Sequence, residues 1–368
     1  MTLRDTRPAG AGRERDTAID LIKAAAIFCV VVIHCCGRGY SFPVLSVQWT
    51  SAVFWGSAAR AAVPLFFMCS GALLLDPDRP LTLKKLYGKN ILRILAALFF
   101  WAAAYKLYHL LVETGWDAFR FQAPAEWLWP GLLQAGKELV LFRHEFHLYY
   151  LHIILLVYAF LPVTRILAGR ASRRELGYLL LLWFALGILY PTLIHYWPFS
   201  LYYKSGIPKQ WLMNMTYASL GYGMLGYCQR RWPLGRGKSA ALLAAGFAVV
   251  FGGTVLSSAR SGSLYEGFLE GMSVGVALMA VGIFGLCTAL GSALKGRTAR
   301  FAARLSEASF CIYLSHLFVR YVFDRLGITV LLLPCAASIP LLSLAVLGLS
   351  YCIWLVLRRI PGVRRWLI

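Results

Sequence analysis

The chain has 368 residues, of which 59% are hydrophobic and only 14% are charged, and its mean hydropathy is +0.64. These values exclude an ordinary soluble globular protein. The formal net charge of +21 would suggest nucleic-acid binding in a soluble protein, but no nucleic-acid-binding motif is present, so we expect no nucleic-acid partner. We attribute the positive charge to Lys and Arg held at one face of a membrane.

Apolar runs of about twenty residues recur along the chain, which is the length needed to cross the hydrocarbon core of a bilayer. They predict an all-α, polytopic membrane protein with about ten transmembrane helices. The first run contains Asp20 and Lys23 and is followed by no small-residue cleavage pattern, so we interpret it as a retained helix rather than a signal peptide. The predicted spans are 18–36, 52–75, 91–112, 147–167, 176–195, 211–228, 240–256, 269–290, 305–323 and 330–357.

Lys and Arg alternate between the two sides of these spans. They are frequent in the N-terminal tail, in the even-numbered loops and after the last span, and they are sparse in the odd-numbered loops. The positive-inside rule therefore predicts that both termini are cytoplasmic. We expect a disordered cytoplasmic tail at 1–15, one transmembrane domain at 16–360 and a short basic cytoplasmic tail at 361–368.

The first predicted helix carries the ionisable residues Asp20, Lys23 and His34 within an apolar run. At about 100° per residue, the steps from Lys23 to His34 return to one helix face, and the helix rise separates the two residues by about 16 Å, roughly half a bilayer. Ionisable groups inside a membrane usually face a protein interior or a wet cavity. For Asp20 we favour a position at the water boundary, whereas the aligned pair of Lys23 and His34 indicates function.

A second group of polar residues lies at the predicted depth of His34, toward the non-cytoplasmic side. Arg60, His147 and His316 come from three other predicted helices, and together with His34 they predict a polar pocket. Simpler explanations exist for several polar residues on this side. They are an outward-extending arginine with an acidic partner, interfacial histidines and an aromatic belt, represented by Arg320 with Asp324, by His109, His144 and His195, and by Tyr149 and Tyr150. Further candidates for the lining of this pocket are Glu145, Tyr150, Glu270 and Arg320.

The third predicted helix begins with a run of cations on the cytoplasmic side. Lys89 and Arg93, with Asn90 between them, lie near its N-terminus, where free amide groups favour anions. These residues and Lys23 form a cytoplasmic cation cluster that would bind the phosphates of a nucleotide-like ligand, and contact with lipid head groups explains the stretch equally well. Phosphate-binding loops and zinc-binding motifs do not occur, so we expect neither ATP hydrolysis nor a metal site.

Five motifs follow one another along the chain: Lys23 and His34 with ten residues between them, Arg60 to Gly71, His147-Leu-Tyr-Tyr-Leu, the Gly/Tyr stretch 220–227 and Ile312-Tyr-Leu-Ser-His316. In order and spacing they resemble the motifs of the acyltransferase 3 family of bacterial membrane O-acyltransferases, and the resemblance covers the chain nearly from end to end. One position differs, because Asn90 stands where the family commonly has the first arginine of Arg-x-x-Arg. The chain resembles the membrane-only branch, which has no appended esterase-like domain.

The resemblance implies that an acyl group, with acetyl as the first choice, passes from cytoplasmic acyl-CoA to a hydroxyl of an extracytoplasmic or lipid-linked glycan. It implies His34 as the catalytic base, Arg60 or His316 as the group that stabilises the oxyanion, and the cytoplasmic cation cluster as the CoA site. An acyl-histidine intermediate is the mechanistic alternative.

The resemblance also implies a multi-pass protein of the bacterial inner membrane, with acyl-CoA as donor substrate and no permanently bound cofactor. The functional alternative is a polysaccharide or small-molecule exporter that performs no acyl transfer. The absence of an internal repeat counts against that alternative, since many transporters are built from repeats. The oligomeric state has no signal in the sequence.

Overall fold

The computed structural model describes residues 15–114, 124–196 and 208–368, and every regular element in these ranges is helical. The all-α fold class is therefore confirmed, while all but the last residue of the predicted tail at 1–15 lies outside the described residues. The α-helices discussed below are α1 (Thr17–Cys36), α2 (Val47–Ala59), α3 (Ala62–Leu74), α4 (Leu92–Tyr108), α5 (Pro124–Val140), α6 (Tyr149–Ala159), α7 (Leu161–Arg170), α8 (Arg173–Trp183), α9 (Met215–Arg231), α10 (Arg236–Ser261), α11 (Val274–Gly291), α12 (Gly296–Arg325), α13 (Cys335–Leu357) and α14 (Pro361–Trp366).

Seven helical segments among the described residues are long and apolar enough to cross a membrane. An eighth span results if Phe146–Ala159 and Leu161–Arg170, which are bent by 54° at their junction, form one unit. The predicted number of ten is therefore not confirmed. The predicted spans 211–228 and 305–323 correspond to α9 and α12, which lie within the bundle against α3 and α1. Helices enclosed by protein can carry polar residues that lipid-facing helices cannot, so hydropathy does not identify them as spans.

α1 is the central helix of the bundle and packs against α2, α3, α11, α12 and α13. The Asp16 carboxylate caps its N-terminus by accepting a hydrogen bond of 3.2 Å from the backbone N–H of Ile19. Asp20 differs from the expectation that it faces water, because it is only 7% exposed. Its carboxylate pairs with Arg15, whose guanidinium also bonds to Glu307 of α12. This ion-paired group joins the start of α1 to α12.

α2 and α3 form one membrane-spanning segment that is interrupted at Arg60 and Ala61. Pro64 accounts for the interruption, because a proline has no N–H to donate to the carbonyl four residues earlier, here that of Arg60. The interruption leaves Arg60 at a turn inside the bundle rather than on a regular helix.

Residues 361–368 fold back onto the bundle instead of extending as a free tail. α14 packs against α4, and the indole N–H of Trp101 donates a hydrogen bond of 3.0 Å to the carbonyl of Leu367. Arg93 of α4 donates to the carbonyl of Ile368, whose side chain is buried. The predicted cytoplasmic location of this segment remains a prediction, as does the orientation of both termini.

α3 and α9 approach each other closely because glycines face across their interface. A Cβ atom at Gly71 would overlap the carbonyl group of Gly223, and a Cβ atom at Gly226 would overlap that of Met68. Small residues that allow two helix backbones to approach are typical of helix packing in membranes. This contact holds α3, and with it Arg60 at the adjoining turn, in a fixed position against α9.

We expect Gly226→Ala to lower the free energy of unfolding by about 1–3 kcal/mol, because the added methyl group overpacks a rigid backbone contact. The measurement is the thermal unfolding temperature of the purified protein in detergent. Gly252→Ala in α10 is the matched control, since no atom lies within 4 Å of the added Cβ there. Alanine should leave stability equal or raise it at that position by up to about 1 kcal/mol. Equal unfolding temperatures for the two variants would contradict the close contact between α3 and α9.

Candidate active site

α1 presents residues of one helix face to two internal cavities. Lys23 lines the first cavity, His34 lines the second, and Val30 lines both. Lys23 and His34, which the helix repeat predicts to share one face, thus each line one of two adjacent cavities. The two cavities are called here the Lys23 cavity and the His34 cavity.

The Lys23 cavity has a volume of about 350 Å³ and lies between α1, α3, α4, α6 and α12. Its ionisable lining consists of the two cations Lys23 and Arg93 and three tyrosine hydroxyls, and its neutral polar lining comes from serines and an asparagine. Such a surface suits a ligand with an anionic group and neutral hydrogen-bonding groups. The lining residues are Lys23, Val30, Val63, Phe66, Ser70, Asn90, Arg93, Ile94, Tyr150, Leu151, Ile154, Tyr158, Ser309, Phe310 and Tyr313.

A π-helical turn, Leu86–Ile91, leads into α4 and determines which of the predicted cations reach this cavity. Asn90 and Arg93 line the cavity, whereas Lys89 is exposed and lies outside its lining. Turns of this type occur frequently at functional sites, because they change the helical phase locally. The cytoplasmic cation cluster predicted from the sequence is therefore brought together in part.

The guanidinium of Arg93 has one N–H group in a hydrogen bond and another without a partner among the described residues. Its guanidinium donates to the carbonyl of Ile368 and lies 5.7 Å from the centre of the Phe310 ring. Its Nε atom is buried and has no hydrogen-bond partner among the described residues. Arg93 can therefore offer a further charged donor to an anion in the cavity.

The His34 cavity has a volume of about 360 Å³. It shares Val30, Val63, Tyr150 and Tyr313 with the Lys23 cavity, so the two cavities are adjacent, and we call these four shared residues the neck. The lining residues are Val30, Ile33, His34, Arg60, Val63, Pro64, Phe67, Phe146, His147, Tyr149, Tyr150, Ile153, Met215, Ser219, Leu269, Glu270, Gly271, Met272 and Tyr313.

Three histidines from different parts of the chain cluster at the His34 cavity. The ring centres of His34 and His316 are 5.0 Å apart, those of His147 and His316 are 5.4 Å apart, and those of His34 and His147 are 6.4 Å apart. α1 supplies His34, a 3₁₀ turn at Phe146–Leu148 supplies His147, and α12 supplies His316. His316 belongs to this cluster but does not line the cavity itself.

Hydrogen bonds determine the tautomer of His316. Its Nδ1 atom lies 2.8 Å from the carbonyl oxygen of Tyr313 and 3.1 Å from that of Ile312. Because a carbonyl only accepts, Nδ1 carries the proton and Nε2 carries the lone pair. Nε2 is buried without a hydrogen-bond partner in the described part of the chain. His316 therefore holds an unused acceptor close to the His34 ring.

Arg60 and Glu270 bring opposite charges to the His34 cavity. The interruption between α2 and α3 positions Arg60, and Glu270 follows the 3₁₀ turn Gly267–Leu269 that precedes α11. The Nε atom of Arg60 is buried and has no hydrogen-bond partner within residues 15–114, 124–196 and 208–368. Of the sequence-predicted polar group, five members line this cavity and three do not: the lining includes His34, Arg60, His147, Tyr150 and Glu270, and it lacks Glu145, His316 and Arg320.

Glu145 does not line this cavity and instead joins three helical segments. Its carboxylate accepts a hydrogen bond of 2.6 Å from the Tyr321 hydroxyl and lies 3.0 Å from Nε2 of His109. Burial opposes the charged form of this carboxylate, but the hydrogen bonds from His109 and Tyr321 outweigh it, so the pKa of Glu145 lies below its ordinary value. Glu145 thereby holds the start of the turn that carries His147.

Arg320 also turns away from the cavity, and its guanidinium donates a hydrogen bond of 2.8 Å to the backbone carbonyl of His34. Residue depth predicted the neighbourhood of His34 for Glu145 and Arg320, and the sequence also indicated Asp324 as a partner of Arg320, which the structure contains. It did not identify the partners of Glu145 or the bond from Arg320 to the His34 carbonyl. Val63 and Ser70 belong to the motif Arg60 to Gly71, but the sequence did not identify either of them as a lining residue. No group of three or more potential metal ligands is found among the described residues.

We expect a cysteine at Val63 to react with a small water-soluble thiol reagent, because Val63 lines the neck between two cavities. Val31→Cys is the matched control, since Val31 belongs to α1 and is 0% exposed. Mass spectrometry of the folded protein should find one more labelled thiol in Val63→Cys than in the wild type and no additional thiol in Val31→Cys. Equal labelling of the two variants would show that the neck is closed to solvent.

Comparison with curated proteins and with solved structures finds no match. A family model described as an acyltransferase domain matches residues 16–359. The matched region runs from α1 through α13 and contains every residue that lines the two cavities. The chain therefore belongs to the acyltransferase 3 family.

Proposed function

We propose that this multi-pass membrane protein moves an acyl group, with acetyl as the first choice, from cytoplasmic acyl-CoA to a hydroxyl of an extracytoplasmic or lipid-linked glycan. Membership of the family supports acyl transfer in general. The observation that carries the finer proposal is the pair of adjacent cavities, which share four lining residues, with cations in one and a histidine cluster at the other. We further propose that the protein resides in the bacterial inner membrane with both termini in the cytoplasm.

The Lys23 cavity is the proposed donor site. Lys23 and Arg93 would bind phosphate groups of CoA through charge-assisted hydrogen bonds, and the neutral side chains of Ser70, Asn90 and Ser309 suit the amides of the pantetheine arm. Lys89, exposed beside the cavity, would add a weaker and more strongly screened attraction. The uncharged neck then suits the narrow arm that carries the thioester toward His34.

The His34 cavity is the proposed site of reaction. The acceptor hydroxyl oxygen attacks the thioester carbonyl carbon while His34 takes the hydroxyl proton, and this proton then passes to the sulfur as the carbon–sulfur bond breaks. The products are an acylated hydroxyl and free CoA thiol. Arg60 would stabilise the negative charge on the carbonyl oxygen. His147, Tyr150 and Glu270 would contact the acceptor, while Glu145 and Arg320 would support the residues around it.

His316 is better suited to orient His34 than to stabilise the oxyanion, because its available nitrogen is the unprotonated Nε2 atom. A small ring rotation would allow Nε2 to accept a hydrogen bond from the N–H of His34. His144 and His152 provide a measure of the required spacing, since their nitrogens are 3.1 Å apart with ring centres 5.2 Å apart. The ring centres of His34 and His316 are 5.0 Å apart, which is compatible with such a bond.

Reconstituted vesicles distinguish this proposal from an exporter, which could also use the two adjacent cavities if they open into each other. Acetyl-CoA is supplied on the side of the Lys23 cavity and a glycan acceptor on the other side. Acyl transfer should release one CoA thiol per acetylated hydroxyl, whereas an exporter would move the glycan without thiol release. Transfer of label from acetyl-CoA to His34 before the acceptor is added would favour the acyl-histidine alternative.

We expect His34→Ala to lower the acyl-transfer rate by at least about 100-fold, which is the lower range for loss of a general base. The measurement is the initial rate of CoA thiol release with acceptor present, normalised to the amount of folded protein. His144→Ala is the control, because His144 bonds to His152 and to a backbone carbonyl outside the lining of both cavities. If the His34 variant keeps a tenth or more of the wild-type rate, His34 is not the base.

We expect Arg93→Ala to weaken acyl-CoA binding by about 10- to 100-fold and to reduce the dependence of affinity on salt, because one charge-assisted phosphate contact is lost. Affinity should be measured by calorimetry on purified protein across a series of salt concentrations. Lys89→Ala is the matched control and should have a smaller effect, since Lys89 lies outside the cavity lining. Asn90→Ala should also have a small effect, because it removes no charge. An unchanged affinity and salt dependence in Arg93→Ala would exclude this cavity as the phosphate site.

A further inference from the structure

We propose that Arg320 is a positioning residue that fixes His34 through its backbone carbonyl. The role rests on the proposed function of His34 as the base. Arg320 does not line the His34 cavity, so it cannot be a residue that touches the acceptor there. Its contact with residue 34 is instead a hydrogen bond of 2.8 Å from Nη1 to the carbonyl oxygen.

The carbonyl that Arg320 binds belongs to the last turn of α1. α1 ends at Cys36 and continues only as the 3₁₀ turn Gly37–Ser41. Carbonyl groups in the last turn of an α-helix lack their usual partners and carry partial negative charge, so a cation at this end is favourable. The guanidinium of Arg320, which belongs to α12, provides such a cation at the carbonyl of residue 34.

A ring of contacts closes around the end of α1. Nη2 of Arg320 bonds to Asp324 at 3.1 Å, and the Asp324 carboxylate lies 3.5 Å from Nε of Arg38. Arg38 follows His34 by four residues in the chain. The path from the His34 carbonyl through Arg320 and Asp324 to Arg38 therefore returns to the chain just after α1. This ring attaches the end of α1 to α12 at two points.

The ring also determines how His34 faces His316. Arg320 lies four residues after His316, so the two side chains project from the same face of α12. α12 thereby contacts His34 twice, at its backbone through Arg320 and at its ring through His316, whose ring centre is 5.0 Å away. Loss of the guanidinium would free the backbone of His34 while leaving both imidazoles present.

The test compares Arg320→Gln with Arg325→Gln. Arg325 belongs to the same helix and also donates to a backbone carbonyl at 3.1 Å, but this carbonyl is that of Val112 rather than that of His34. We expect Arg320→Gln to lower kcat by about 10- to 100-fold, because displacements of about 1 Å at a reacting group have effects of this size. The dissociation constant of acetyl-CoA should change by less than about twofold. Arg325→Gln should change neither quantity.

Two further variants separate positioning from general stability. Arg320→Lys keeps a cationic donor for the His34 carbonyl and should restore part of kcat, and Asp324→Asn should lower kcat less than Arg320→Gln does. Substitution at both positions should lower kcat by less than the product of the single effects, since the residues act as one unit. If Arg320→Gln lowers only the unfolding temperature, or does not fold while Asp324→Asn has full kcat, the proposal is wrong. Absence of acyl transfer by the wild-type protein would instead overturn the proposed function.

Discussion

Ionisable side chains inside a bilayer are stable only where protein groups or enclosed polar space take the place of water, and this constraint governs α1. A helix that carries Lys23 and His34 cannot face lipid along the side that bears them. It is therefore surrounded by α2, α3, α11, α12 and α13. The cavities follow from the same requirement, because each ionisable residue needs a polar space into which it can point. The central position of α1 and the location of the candidate site thus have one cause.

The neck gives the proposed reaction its chemical selectivity. A thioester is exposed to hydrolysis wherever water can reach it beside a base, and exclusion of water is a general requirement for transfer to another acceptor. Valines and tyrosines occupy the junction between the cavities, while charged groups stand at either side of it. An arm that fills this junction would itself separate the two solutions. The donor would then complete the barrier that protects its own reactive bond.

Much of the site could be predicted because helical periodicity and depth are regular. The face shared by Lys23 and His34 follows from the helix repeat, and the depth of Arg60, His147 and His316 places them near one another. Depth does not state the direction in which a side chain points, so it could not show that Glu145 bonds to His109 and Tyr321.

Two features of the structure limited the prediction of the remaining fold and site: local departures from the α-helix, and helices that are enclosed by protein. The π-helical turn shifts the helical phase at Leu86–Ile91, and the regular repeat could not show that Asn90 reaches the cavity while Lys89 remains exposed. The predicted number of ten spans is not confirmed by length and hydropathy, because α9 and α12 face other helices and carry polar residues. Their polar residues, such as Ser309 and His316, belong to the interior of the bundle.

The docking of residues 361–368 has a practical consequence for handling the protein. The carbonyl groups of Leu367 and Ile368 accept hydrogen bonds from Trp101 and Arg93, and Arg93 lines the Lys23 cavity. An affinity tag joined to Ile368 would start beside this arginine, and an acidic tag would bring its own anions to the same guanidinium. A purification handle placed before α1 would leave the contacts of Arg93 with Ile368 and with the Lys23 cavity unchanged.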